Sequence, residues 1–383
     1  MFKICLINKY INLVSLIALS IYNAILIDTG LTGMFSDKRI LVTGGASFIG
    51  SHLVDALLEK EAEVKIADDI SSGKFSNIKH SLEQISQVEY KSNNLSVHIG
   101  DLKDKQFTKK MMTDVDIVFH LAALHGGRGY IDTHPAECCT NMIIDQLVFE
   151  EANNADVEKV CFASSACVYP VFLQEDAGST YLLKEEDADP FIVGKANADL
   201  EYGWAKLMGE MALQAYHRQY GMKTSSVRIF TAYGPRENET HAIIALIAKA
   251  FIKMDPYVIW GNGLQDRNFT YVQDIVDAMM LASLEITDGT PVNAGRDDRI
   301  TINEVVDNVF NVMNWKPKKI HHDLTKPQGV ASRAADLTRA RKLLKWEPKY
   351  TYEEGFKNTI EWYVNNHDAS KVNNNIEKLL YER

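Results

Sequence analysis

The chain has 383 residues, of which 46% are hydrophobic and 24% charged, enough for two lobes sharing a substantial core. Its formal net charge is −10 and it carries no long Lys/Arg run, which argues against a nucleic-acid partner because affinity for a phosphate backbone rests on clustered cations. The five cysteines (Cys5, Cys138, Cys139, Cys161 and Cys167) are odd in number and show no CxxC spacing, so neither a disulfide framework nor a zinc site is indicated, and a reducing compartment fits.

The first predicted element is an uncharged apolar run, residues 11–27, lying behind Lys3 and Lys9. It is near the lower limit for spanning a bilayer, and no small-x-small cleavage site follows it. Met34 opens "MFSDKRILVTGG", the usual beginning of a soluble dinucleotide-binding enzyme. We therefore expect residues 1–36 to be an extension from an upstream or optional start on a cytoplasmic protein. The alternative is a membrane anchor through 11–27.

"RILVTG" (39–44) is a short strand rich in β-branched residues. It runs into "GGASFIGSHLVDALLEK", where the period becomes helical and Phe48, Ile49, Leu53, Leu57 and Leu58 share one face. Strand, glycine turn and helix form the context in which a helix N-terminus receives a pyrophosphate. The glycines read Gly44-x-x-Ser47-x-x-Gly50, with Ser in the middle place; a serine serves there provided its φ is negative. The next strand, "EVKIADD", ends at Asp68, where an acid accepts from a ribose 2′-OH and repels a 2′-phosphate, favouring NAD over NADP despite Lys74 nearby. Further strand ends place Asp101 and the Leu121-Ala122-Ala123 run at the same edge. The expected fold is α/β, a Rossmann-type doubly wound parallel sheet with ligands at its carboxyl edge.

"FASSACVYP" (162–170) reads as a strand end carrying Ser165 and Cys167. Residues 171–199 form an acidic, loop-like segment expected beside the site as a lid. In "EYGWAK", Tyr202 and Lys206 are four apart and share a helix face. A free Tyr titrates near 10; a neighbouring Lys⁺ together with the positive nicotinamide of NAD⁺ would bring it down into use as a base.

These motifs, with "TGGASFIGSHL", "ADDISSG", "GDLKD", "FHLAA", "YGP", "WGNGLQDRNFTYVQD" and "LKWEPKYTYEEGF", resemble the extended short-chain dehydrogenase/reductase superfamily of sugar-nucleotide epimerases and dehydratases over about 38–365. The resemblance implies a catalytic set of Ser165, Tyr202 and Lys206, and cofactor contacts from Gly44, Ser47, Phe48, Ile49, Gly50, Asp68, Asp101, Leu121, Ala122, Ala123, Tyr202 and Lys206. Members that dehydrate or decarboxylate carry an acid just after the catalytic Ser/Thr; here stand Ala166 and Cys167. "SSACVYP" and "HLAALHGGRGYI" resemble most closely the GDP-mannose 3,5-epimerases, implying a proton-exchanging Cys167 and substrate contacts from Gly126, Gly127 and Arg128. Those enzymes have a Lys where "ENETHAIIAL" has His241; a Cys with a His resembles the GDP-fucose synthases, which use NADPH. A strand-end cysteine is ordinarily a small buried hydrophobe, and a histidine at a helix start can serve as a cap. Cys138, Cys139 and Cys161 are read as packing, and adjacent His321 and His322 lack partner acids for a metal.

From about Tyr233 the pattern changes to that of a smaller substrate-binding lobe, in which Arg267 and Arg333 match positions that hold a nucleotide diphosphate in relatives; bidentate guanidinium donors suit phosphates. The expected division is a Rossmann domain over 37–232, completed by about 268–295. A substrate lobe over 233–267 and 296–365 and a polar tail from 366 complete it. The expected function is NAD-dependent epimerisation of a nucleotide sugar, GDP-mannose inverted at C3, C5 or both, through transient C4 oxidation. The alternatives are a 4-epimerase of a UDP-hexose or UDP-glucuronate and a 4-keto-6-deoxy sugar epimerase/reductase. A homodimer is expected from the relatives.

Overall fold

The computed structural model describes residues 33–78, 82–326 and 328–380. The apolar run 11–27 lies outside the described residues, among which no helix is long and apolar enough to cross a membrane.

Nine strands form the central sheet among the described residues: β1 (Arg39–Thr43), β2 (Glu63–Asp68), β3 (Glu83–Gln84), β4 (Glu89–Lys91), β5 (Leu95–Ile99), β6 (Ile117–His120), β7 (Lys159–Ser165), β8 (Lys223–Ile229) and β9 (Asp288–Ala294). Their order is β9-β8-β7-β6-β1-β2-β5-β4-β3, and every pair is parallel except the β3–β4–β5 edge. The chain leaves β1 in one direction and returns to β6 on its other side, so a crevice opens at the β1/β6 carboxyl ends, where ligands bind in such sheets.

The helices used below are α1 (Phe48–Glu59), α2 (Arg128–Thr133), α3 (Asn141–Asn154), α4 (Leu200–Tyr220), α5 (Ala242–Phe251), α6 (Val272–Glu285), α7 (Ile302–Met313), α8 (Tyr352–Asn366) and α9 (Ala369–Leu379). A parallel sheet is covered on both faces and its strands are apolar throughout. Successive residues alternate between the two cores: Ile40, Val42, Ile66, Phe119 and Cys161 pack on one face, and Leu41, Ala67, Val118, Val160 and Phe162 on the other. Cys161 and Cys138 are buried.

A second core joins α5, α7 and α8 through Ile243, Ile247, Val305, Val309, Phe356 and Ile360. Threonine–glutamate capping boxes start α7 (Thr301/Glu304) and α8 (Thr351/Glu354). Within this lobe a small sheet pairs Asp266–Arg267 in parallel with Ser332–Arg333, setting Arg267 directly opposite Arg333. Residues from 369 form α9, which packs on α5 through Val372.

The segment 171–199 departs from the expected lid. Leu183 bridges to Ala335, Glu185 accepts from the Asn293 amide at 3.0 Å, and Arg228 donates to the Glu185 carbonyl at 2.7 Å. Glu185 and Asp187 are buried by these contacts. The segment is thus tied to β9 and to the edge strand near Arg333, and only its last residue, Asp199, lines the main cavity.

Candidate active site

The turn from β1 to α1 closes tightly on its glycines. Gly44 has φ +70°, and a Cβ on Gly50 would lie 2.1 Å from the Gly44 carbonyl oxygen, so strand and helix approach as closely as a backbone permits. Ser47 has φ −81°, compatible with a side chain, and its hydroxyl donates to the Gly44 carbonyl at 2.5 Å. Asp68, buried at the end of β2, accepts from the Ala46 and Ile70 amides at 2.9 and 2.8 Å. It lines a small cavity with Gly44, Ser47, Asp101, Leu121 and Ala122, whereas Lys74 lines the larger cavity beyond. The tight glycine turn, the helix start and the buried acid fit the pyrophosphate and ribose of NAD.

Beyond β6 the chain is held by side chains that local sequence patterns do not reveal. The Thr43 hydroxyl accepts from the Leu121 and Ala122 amides at 3.1 and 3.2 Å. Asn141, at the start of α3, clamps Leu124 through both its carbonyl (2.7 Å) and its amide (3.0 Å). These bonds fix the path that delivers His125, Gly126, Gly127 and Arg128 to the larger cavity, about 440 Å³ in volume.

Phe48, Ile49, Ala123, Ser165, Cys167, Tyr202, Lys206 and His241 also line that cavity. Ser165 ends β7, its hydroxyl accepts from the Cys167 amide at 3.1 Å, and it acts on the Tyr202 phenol so as to lower its titration. Lys206 lies one turn beyond Tyr202 on α4; its ammonium is 4.5 Å above the Phe162 ring and 5.9 Å from that of Tyr202. Burial pushes the Tyr202 phenol well above its ordinary value, with the Cys167 side acting in the same direction and Ser165 opposing. Burial also lowers Lys206, with Asp145 opposing. The chain by itself therefore does not produce the depressed phenol expected from Tyr–Lys spacing, because desolvation outweighs the single cation.

Cys167 is half-buried in the 3₁₀ turn Ala166–Val168. Its carbonyl accepts from the Asp199 amide at 2.8 Å, and a Cβ on Gly203 would stand 2.1 Å from that carbonyl. Gly203 therefore allows α4 to press against the turn that carries the thiol. The Cys167 sulfur accepts from Arg333 at 3.9 Å.

His241 occupies the position before α5 but makes no capping bond. Its ring, 26% exposed, faces the cavity, stacks on His125 with centroids 5.4 Å apart, and lies 3.5 Å from Glu237. His125 in turn packs against the Tyr202 ring at 4.7 Å.

Arg128, Arg267 and Arg333 converge around Gly329 and the adjoining strand. Arg128 pairs with Asp199 at 2.9 Å, and Arg333 lies 3.6 Å from the same carboxylate and donates to Gln174 at 2.5 Å. Arg267 is held by the carbonyls of Asp266, Gln328, Val330 and Ala331, and burial beside two other guanidinium groups lowers it to about 9. Arg128 also pairs with Asp132 at 2.8 Å, so three guanidinium groups stand against two carboxylates, Asp132 and Asp199, and guanidinium donors of this kind suit phosphates.

Residues 40–295 match the NAD dependent epimerase/dehydratase family. The chain belongs to that family. It is an NAD-dependent enzyme of the epimerase type, and NAD is its cofactor. The family member is 31% identical over 332 residues to GDP-mannose 3,5-epimerase of Arabidopsis thaliana, covering 85% of this chain and 81% of that one. It is 29% identical over 333 residues to UDP-N-acetyl-alpha-D-glucosaminuronate decarboxylase of Bacillus cytotoxicus, covering 85% and 98%. Among solved structures it is similar to UDP-glucose 4-epimerase of Thermotoga maritima with UDP-glucose, at TM-score 0.72 and 27% identity over 85% of this chain and 98% of that one.

The epimerase-family site thus gathers the residues singled out in the sequence and adds His125, Asn141, Asp199, Gly203 and Glu237. His125 and Gly203 stand inside recognised motifs, next to residues already singled out. Asp199 and Glu237 stand in no recognised motif; tertiary packing brings Asp199 to the Cys167 carbonyl, and Glu237 stands four residues before His241 on the same loop.

Proposed function

We propose that the enzyme epimerises a GDP-hexose of the GDP-mannose type at the carbons flanking C4. The observation that carries this reading is a thiol, Cys167, and an imidazole, His241, in the same cavity as the Ser165–Tyr202 pair. The residues after Ser165 are Ala166 and Cys167, with no acid for dehydration or decarboxylation. The 31% identity to a GDP-mannose 3,5-epimerase supports the same substrate class.

Bound NAD would accept the C4 hydride and return it at the end. Tyr202, in the same cavity as Ser165, removes the C4 hydroxyl proton, and Lys206 one turn along the helix supplies positive charge. Once C4 is a ketone, hydrogens on C3 and C5 become acidic. Inversion needs one group to take a proton and another to return one on the opposite face; Cys167 and His241 fill these roles, their ordinary pKa values of about 8.5 and 6.5 bracketing neutrality. Arg128, Arg267 and Arg333 hold the diphosphate, and Gly126 and Gly127 line the same cavity. We further propose a homodimer joined through α3 and α4, which pack on each other and expose Met142, Ile143, Leu200, Trp204 and Met208.

Turnover of a panel of nucleotide sugars without added nicotinamide cofactor tests the substrate class. GDP-mannose is expected to be converted. Conversion of UDP-glucose alone would replace this reading with 4-epimerisation, and a strict requirement for added NADPH would replace it with reduction.

A further inference from the structure

Glu237 is a carboxyl group buried to 5% exposure inside a catalytic cavity, and the proton-exchange scheme above leaves it unused. Its Oε1 lies 3.5 Å from His241 Nδ1. Both Nδ1 and the Glu237 Oε2 are buried without a hydrogen-bond partner. The oxygen nearest the unpartnered nitrogen is Oε1, at the outer limit of a hydrogen bond, and Oε2 of the same carboxyl group has no partner of its own; long catalytic hydrogen bonds of this kind tighten in the substrate complex.

The surrounding structure restricts the imidazole to this partner. On its other side the ring stacks on His125, 5.4 Å away and tilted only 19°. The loops that carry the two histidines are locked together: the Gly127 amide donates to the Thr240 hydroxyl at 3.4 Å, and a Cβ on Gly127 would fall 1.9 Å from the Thr240 carbonyl oxygen. His241 therefore has its plane set by one ring and its Nδ1 edge set by one acid.

We propose that Glu237 is a positioning residue for His241: it accepts Nδ1–H and thereby fixes the tautomer that leaves Nε2 as the free base facing the sugar. A carboxyl group has acceptor oxygens in either protonation state, so the bond holds before and after proton transfer. In the step itself, the Nε2 lone pair takes the proton from the carbon beside the C4 ketone, the C–H electron pair passes into the enolate, and the resulting imidazolium faces Glu237. The Cys167 thiol returns a proton to that carbon from the opposite face and is left as a thiolate, which restores the ketone and completes the inversion. Burial lowers His241 to about 4, which keeps the imidazole neutral in the resting site.

This inference rests on the epimerase reading, and two measurements separate them. The first is the histidine tautomer in the full-length, NAD-loaded enzyme labelled with ¹⁵N-histidine, with the His241 signals identified by their loss in His241→Asn. Wild type is expected to show the Nδ1–H tautomer. Glu237→Ala is expected to shift it to the ordinary Nε2–H form, and Glu237→Gln, which retains a carbonyl acceptor, is expected to keep Nδ1–H. The second is deuterium exchange at C3 and C5 of GDP-mannose in D₂O. Glu237→Ala should lower kcat for exchange about 10²-fold with KM unchanged, should leave C4 oxidation, read as bound NADH, at the wild-type level, and Glu237→Gln should restore exchange. An Nε2–H tautomer in wild type, or a tautomer indifferent to Glu237→Ala, would overturn the assignment. The expected tautomer shift in an enzyme that incorporates no deuterium would support the positioning role and remove the 3,5-epimerase reading instead.

Discussion

His241 shows how far a single residue's role depends on its surroundings. At a helix start it reads equally as a cap or a base, and the structure gives it no capping bond and a cavity-facing ring. Burial depresses its titration from 6.5 to about 4. Between those values the unfolded chain binds a proton that the folded chain refuses, so this residue's contribution to stability is present above pH 6.5 and lost as pH falls toward 4. The effect amounts to at most about 3 kcal/mol. Thermal melts of wild type and His241→Gln from pH 7 to pH 4 should diverge, with wild type losing more stability on acidification; parallel curves would show that the imidazole is not desolvated. Ser165, Tyr202 and Lys206 were expected together because they stand in motifs that carry the family resemblance, and they line one cavity. The titration of Tyr202 was not, because its raised value comes from the packing of residues remote in sequence, Cys138 and Asp145 among them.

At the scale of elements, the β1–α1 turn followed directly from the change of period and the glycines around it. The segment 171–199 did not. Its polar, acidic composition suggests a lid, yet Glu185 and Asp187 are buried by partners at 228, 293 and 195, and the bridge at 335 ties it down. Charged residues satisfied by distant partners look the same in sequence as charged residues facing water. The fit of α4 to the cysteine turn was equally hidden, since a glycine inside a helix signals a close approach without naming the partner. Gly203→Ala adds a methyl group where 2.1 Å separates it from the Cys167 carbonyl oxygen, and relief requires α4 to move away from the turn. A displacement near 1 Å costs about 10²-fold in rate, so kcat should fall by about that factor while NAD binding, measured by titration, stays within a few-fold. A variant with wild-type kcat would mean that the contact does not position Tyr202 against Cys167.

For the whole molecule, the doubly wound sheet brings the cofactor turn, Ser165, the tyrosine helix and Arg128 to one edge, and the second lobe supplies Arg267, Arg333 and His241. That convergence was legible as a fold class but not as distances, because the two lobes meet through contacts far apart in sequence, such as Arg333 with Cys167. The apolar face on α3 and α4 belongs to the same scale. Met208, 45% exposed beside Trp204 at 41%, should lie within the dimer contact; light scattering is expected to give a dimer for wild type and a monomer for Met208→Glu, and an unchanged dimer would place the contact elsewhere. The central claim is that Cys167 moves protons beside a transient ketone. Its most direct test is NMR of GDP-mannose incubated in D₂O with wild type and with Cys167→Ser. The account predicts deuterium at C3 or C5 with wild type, and with Cys167→Ser no exchange while C4 oxidation persists. Undiminished exchange in Cys167→Ser would contradict it.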